Sequence, residues 1–302
     1  MQKEAIRQPA RLKKILKHVD KSKPGVEIGP IHNPKAPKRD GYQVHIIDHL
    51  SRADLVQKYR HHNIDLDKIE EVDFVWAGER YAELTGHTNH YHWIIATHVV
   101  EHVPDLIGFL NNCAEILTDN GIISLSVPDK RFCFDHFRPS SGLGQIIDSH
   151  LQNRTVHSPG TIAEFLLNTV SLEARHSWYP MAPGSYAFIH TPEQAKPQIA
   201  RAANGVYVDA HAWCFTPSSF RLIIHDLYQL GYISVCEYDF PEPSHTGEIY
   251  MTLRKGHPEH VPNRLSLLQE IEAENQDPNG AIIRRKNRLK RLRRKFGKRF
   301  AE

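Results

Sequence analysis

Gly25-Val26-Glu27-Ile28-Gly29-Pro30-Ile31-His32-Asn33 is the stretch on which the fold turns. Val26 and Ile28 are β-branched and flank an acid, which reads as a buried strand. Gly29 then ends it in a tight turn, because glycine takes positive φ and lets backbone or ligand come close. An acid at the end of a strand followed at once by glycine suits a nucleotide-type cofactor: the backbone approaches the ligand and a carboxylate takes its polar groups. A structural strand-to-turn junction would look the same, so the rest of the chain has to decide.

Working outward, Tyr42-Gln43-Val44-His45-Ile46-Ile47 is a second strand ending in Asp48. Ser51 caps a helix that runs to about Arg60. Val72 to Trp76 is a third strand, and Trp93-Ile94-Ile95-Ala96-Thr97 a fourth. The nearly unbroken apolar run of the fourth fits a strand covered on both faces. From Asp105, Leu106, Leu110, Cys113 and Leu117 fall at helical spacing, and Asn120-Gly121 is the expected stop. Ile122 to Val127 is a fifth strand. Alternating strands and helices argue for a parallel sheet with helices on both faces.

Residues 129–212 break this rhythm, with many Pro, Gly, Ser and His and one helical run near 161–174. They read as a long insertion or lid. Thr216-Pro217 restarts a helix as N-cap and first helical residue. Two strands follow, Tyr232 to Tyr238 and Glu248 to Arg254, joined without a helix. That makes them an antiparallel pair at a sheet edge. The chain therefore divides into an N-terminal helix (1–23), an α/β domain (24–258) carrying the insertion, and a helical C-terminal extension (259–302).

The net charge of +3 conceals an asymmetry. Residues 284–299 hold 11 Lys/Arg and no acid; without them and Glu302, 27 basic residues face 34 acidic ones. A basic helix of this kind can meet nucleic acid or an anionic membrane surface, but the acidic body offers no broad basic groove. No run of about 18 apolar residues is present, and the N-terminus lacks an apolar signal core. The four cysteines are far apart with no CxxC, which suits reduced thiols in a cytoplasmic protein.

The order of these segments resembles class I S-adenosylmethionine (SAM) dependent methyltransferases. VEIGP resembles their first motif. IIATHVVEHVPD followed by LTDNGIISLSVPD resembles their fourth and fifth strand segments, and AWCFTPSSFRLIIHDLYQLGY the lead into the sixth strand. The VPDKRFCFDHFR string resembles a bacterial subgroup associated with glycan and polysaccharide biosynthesis. The resemblance implies a Rossmann-like, seven-stranded, mostly parallel sheet with an antiparallel last strand. It implies SAM as cofactor, held by Glu27, Gly29, Pro30, Asp48, Gly78, Glu79 and Thr97, with Asp48 on the ribose. It also implies methyl transfer, with a sugar or glycan hydroxyl as acceptor. One departure is plain: the family's ExGxGxG loop here reads EIGPIHN, so only Gly29 remains, and Pro30 has no N–H to give. An inactive binding protein on the same fold, or a nucleic-acid methyltransferase or binder using the basic tail, is the alternative.

Methyl transfer to a hydroxyl needs alignment and a base for the proton. His98, at the end of the fourth strand, is the preferred base and His102 the second choice. Asp209 and His211 could reach the same cleft from the insertion. His98-Val99-Val100-Glu101-His102 also fits HxxEH, an inverted zinc-peptidase motif. That chemistry needs both histidines on one face of a helix, and Pro104 disfavours helical geometry at Val103. No metal is expected on this reading.

Overall fold

In the computed structural model, residues 10–179, 184–241 and 247–276 are described. A helical segment over residues 10–15 leads into β1 (Gly25–Ile28). Then come β2 (Val44–Asp48), α1 (Arg52–Tyr59), β3 (Phe74–Val75), α2 (Tyr81–Thr85), β4 (Tyr91–Thr97), α3 (Leu106–Ile116) and β5 (Leu117–Pro128). The 129–212 segment holds α4 (Leu143–Leu151), α5 (Pro159–Asn168), β6 (Val170–Leu172), β7 (Tyr186–Phe188) and α6 (Pro192–Ala203). Last come α7 (Pro217–Gln229), β8 (Val235–Asp239), β9 (Glu248–Lys255) and α8 (Arg264–Gln276).

Seven strands form one sheet in the order β3-β2-β1-β4-β5-β9-β8. Strands β1 to β5 pair in parallel, and β9 runs antiparallel to both β5 and β8. This is the Rossmann-like arrangement expected from the sequence. The chain steps from β1 outward to β3 and returns to β4, so β1 and β4 meet at the switch point where ligands gather in such sheets. The core is richest here: Trp93, Ile94, Ile95 and Ala96 are fully buried. Gly25 is required by this packing, since a Cβ there would lie 2.0 Å from the Trp93 ring. Trp93 Nε1 donates to the carbonyls of Asp20 and Lys23 and ties the N-terminal segment to the sheet.

Several expectations shift. The helix α3 begins where Asp105 caps it, accepting from Gly108 N–H. It stops at Ile116, and Leu117 is already extended, so Asn120-Gly121 lies inside β5. The third strand is only two residues long. The 129–212 segment is more ordered than its composition implies, with three helices and a two-stranded sheet among its described residues. Its α6 buries only alanines (Ala195 and Ala202) and carries Pro197 inside the helix, so it lacks the apolar stripe that marks helices in sequence. It starts at a capping box of Thr191 and Gln194. The helix α8 docks on α7, where Ser218 N–H and Oγ donate to Glu274. The basic run 284–299 lies outside the described residues. No helix among the described residues is long and apolar enough to cross a membrane.

Candidate active site

The site lies at the carboxyl edge of β1, β2, β4 and β5. Gly29 leaves β1 at φ +60°, the left-handed region that glycine occupies freely. Its N–H donates to Ile47 O at 2.9 Å, and Pro30 has none to give. This turn therefore offers no amide donor at positions 29 and 30. Glu27 differs from expectation. Its carboxylate is fully buried and accepts from the N–H groups of Lys35 and Ala36 at 2.7 and 3.0 Å. Burial pushes its pKa up to about 7 against those two bonds. Glu27 braces the 30–37 loop from beneath and presents no free oxygen to a ligand.

Asp48 closes β2 and is buried. Its Oδ1 accepts from His49 N–H at 2.7 Å, while its buried Oδ2 has no hydrogen-bond partner. An unsatisfied buried carboxylate oxygen is costly, so it marks a place where a donor is missing. Next to it, Trp76 is exposed at the end of β3. The Trp76 indole donates to Glu79 O, and the Glu79 carboxylate accepts from Ala77 N–H at 2.8 Å, closing a small turn through Gly78 at φ +117°. Glu79 thus builds the turn. Thr97 is buried and pairs with Ser126 of β5.

His98 follows β4 at φ +56°, a left-handed conformation costing a non-glycine residue about 1–2 kcal/mol. Such strain is concentrated at functional positions. The exposed ring places Nε2 2.5 Å from Glu248 Oε1, and Nδ1 3.6 Å from Glu101 Oε1. Glu248 also accepts from Arg11 at 2.6 and 2.7 Å and from the Tyr250 hydroxyl. Burial works to raise the Glu248 carboxyl, but His98 and Arg11 outweigh it and hold the pKa near about 2.

After His98 the chain makes a 3-10 turn, Val100–His102, and Val103 is extended. HxxEH is therefore not on an α-helix. The backbone carbonyl of Glu101 accepts from Ala212 N–H at 2.7 Å, which seats His211 over this turn. His102 Nδ1 pairs with Asp209 Oδ1 at 2.9 Å, and His211 Nδ1 with Asp135 Oδ2 at 2.5 Å. The two imidazoles meet edge to face, 4.7 Å apart. Burial favours neutral His102, but Asp209 and Glu101 outweigh it and raise its pKa. Burial would raise Asp135, but His211 and Arg138 hold it down. His157 is buried nearby with both ring nitrogens unpartnered, and burial, with His102 beside it, pushes it down to about 4.

The fold thus brings His98, His102, Asp209 and His211 to one edge. Sequence reading missed Glu248, Arg11 and Asp135. Glu248 and Arg11 lie at opposite ends of the chain with no shared motif, and Asp135 sits unmarked within the VPDKRFCFDHFR string.

The sequence profile of a methyltransferase-domain family matches residues 10–227. The chain belongs to this family. It is a SAM-dependent methyltransferase. No curated protein matches the chain in sequence. Among solved structures, this methyltransferase is similar to a 1,6-didemethyltoxoflavin-N1-methyltransferase from Burkholderia thailandensis, with 12% identity, 83% of this chain and 78% of that one covered, and a TM-score of 0.40. It is similar to a protein from Listeria monocytogenes described as a SAM-dependent methyltransferase, with 11% identity, 84% and 100% covered, and a TM-score of 0.42. It also overlaps one from Rhodobacter sphaeroides described as a Zn-dependent alcohol dehydrogenase, with 10% identity, 82% and 89% covered, and a TM-score of 0.43. Likeness at this level carries no argument about acceptors.

The residues at the sheet edge fit SAM. Asp48 Oδ2 lacks the donors that a ribose would bring, Trp76 offers an exposed aromatic face, and the left-handed Gly29 keeps side-chain bulk off the turn.

Proposed function

We propose that this methyltransferase acts on a hydroxyl of a sugar, glycan or related small precursor, with Asp48, Trp76 and Gly29 on the cofactor side and His98 as the base. Bound SAM supplies an electrophilic methyl on a sulfonium. The rest falls to the chain. Glu248 accepts Nε2–H of His98, which leaves Nδ1 as the nitrogen that can take the acceptor proton. The buried Glu101 carboxylate, 3.6 Å away, favours the imidazolium that results. The His98–Glu248 pair carries this reading.

The acceptor class is supported by an aromatic ledge beside the site. His136 and Tyr186 stack with centroids 5.3 Å apart, Phe137 packs on Tyr186, and Phe137 and Phe188 are exposed. Sugar rings present apolar C–H faces that pack on such surfaces. The ledge joins the site through one peptide, because Asp135 holds His211 and His136 stacks on Tyr186. The VPDKRFCFDHFR string supplies both. Turnover with labelled SAM on nucleotide-linked sugars and oligosaccharides tests the reading, with RNA and small amines alongside. Label on a sugar oxygen is expected. Label on a nitrogen or on RNA, with none on sugars, overturns it.

A further inference from the structure

We propose that Glu101, His102 and His211 form a binding site for one divalent transition-metal ion, beside His98. One ligand-capable atom from each residue lies within 4.8 Å of the other two. Glu101 is 1% exposed, and neither of its carboxylate oxygens has a hydrogen-bond partner. The ring nitrogen His98 Nδ1 lies 3.6 Å from Oε1, beyond hydrogen-bond reach. A buried carboxylate left with a single long contact carries a heavy desolvation cost unless a cation is meant to sit there.

The two histidines are prepared in the manner of metal ligands. Each has Nδ1 committed to a carboxylate, His102 to Asp209 and His211 to Asp135. That pairing commits Nδ1–H to the carboxylate, so Nε2 is the nitrogen a metal would take, displacing any proton it carries. Asp135 is in turn held by Arg138 at 2.8 Å, which keeps His211 from turning. Two imidazoles and one carboxylate suit zinc, iron, cobalt or manganese and leave further positions open. Donors on one such ion stand about 3–4 Å apart, so small side-chain rotations close the set. The 3-10 turn makes the site possible. It puts Glu101 and His102 on adjacent positions facing His211, which the Glu101 O to Ala212 N–H bond holds in place.

An ion here would stand next to the proposed base, where it can polarise an acceptor oxygen; this role rests on the methyl-transfer reading, whereas the binding site does not.

The test uses the full, untagged chain, stripped with chelator and titrated with Co2+. One equivalent is expected to give d–d absorption in the visible and to raise the melting temperature. Glu101→Gln should abolish both while leaving the metal-free melting temperature unchanged or higher, because it removes a buried charge with no hydrogen bond and keeps the shape. His211→Ala should also lose the absorption. Asp209→Asn should weaken binding by about 10- to 100-fold through the orientation of His102. Absence of one-equivalent absorption in the wild type, or absorption unchanged in Glu101→Gln, overturns the site. Calorimetry with S-adenosylhomocysteine (SAH) on the same samples separates the two readings. SAH binding without Co2+ binding rejects the metal site alone, and Co2+ binding without SAH binding supports the metal site and removes the methyl-transfer reading.

Discussion

His98 Nε2 stands 2.5 Å from Glu248 Oε1, joining two residues 150 positions apart across the edge of the sheet. β9 runs antiparallel to β5, so its first residue, Glu248, lies opposite Pro128 at the same edge where β4 delivers His98. Arg11 reaches the same carboxylate, so the N-terminal segment, the fourth strand and the last strand converge on one acid. If His98 is the base, His98→Ala should lower kcat by about 10²- to 10⁴-fold. Affinity for SAH should not change. Single-turnover kinetics with calorimetry checks this, and full turnover in the variant would remove His98 from the chemistry. Glu248→Gln should lower kcat less, because it disturbs the orientation of the ring and keeps the ring itself.

Asp48 gives a cleaner test of the cofactor side. Its Oδ2 is buried and unpartnered, so a ribose would find an acceptor already in place. Asp48→Ala should weaken SAH by about 1.5–3 kcal/mol, the worth of a hydrogen bond to a charged group. The variant should keep its fold, which circular dichroism would check, and SAH affinity equal to wild type would exclude Asp48 from the site.

Glu248 also makes stability depend on pH. Its carboxyl is held near about 2 when folded, below the ordinary 4.5. A lowered pKa contributes stability that is present above pH 4.5 and is lost as pH falls from there towards 2. The contribution is about 3 kcal/mol at most. Urea denaturation across this window should show a drop in the wild type that is smaller in Glu248→Gln. Equal slopes for the two proteins would contradict the assignment.

Two glycines predict opposite magnitudes. Gly25→Ala would put a Cβ 2.0 Å from the Trp93 ring and should cost about 3 kcal/mol, because a packed core cannot move aside. Gly86 ends α2 at φ +69° with nothing within 4 Å of an added Cβ. Its alanine variant should cost about 1 kcal/mol from backbone strain alone. Thermal melts of the two proteins would rank them, and the reverse order would refute the packing argument.

The aromatic ledge predicts a split in kinetic constants. Phe188→Ala should raise KM for a sugar acceptor roughly fivefold, about 1 kcal/mol of ring contact. SAH affinity should stay as it is. A fall in kcat alone would take the ledge out of acceptor binding.

The sequence by itself determined the order of the seven sheet strands and of the main helices outside 129–212. Apolar runs at strand spacing, the Ser51 and Thr216 caps and the glycines after β1 and α7 are local signals, and local physics reads them. The family, the parallel sheet and its antiparallel closing pair followed from that order, as did the junctions carrying Gly29, Asp48 and His98. Helix α4 and the β6–β7 pair went unread, α6 escaped because alanine gives no apolar stripe, and the early end of α3 because packing overrode Asn120-Gly121. Only the tertiary structure decided what each side chain meets. Glu27 looked like a cofactor ligand and is a brace, because the 30–37 loop folds back onto it. Glu101 looked like part of a peptidase motif and sits in a buried turn with no hydrogen bond to its carboxylate. His98 met Glu248 and His211 met Asp135 because the sheet closes residues far apart in sequence onto one edge. Such partners leave no periodic trace along the chain, since nothing fixes their spacing except the fold.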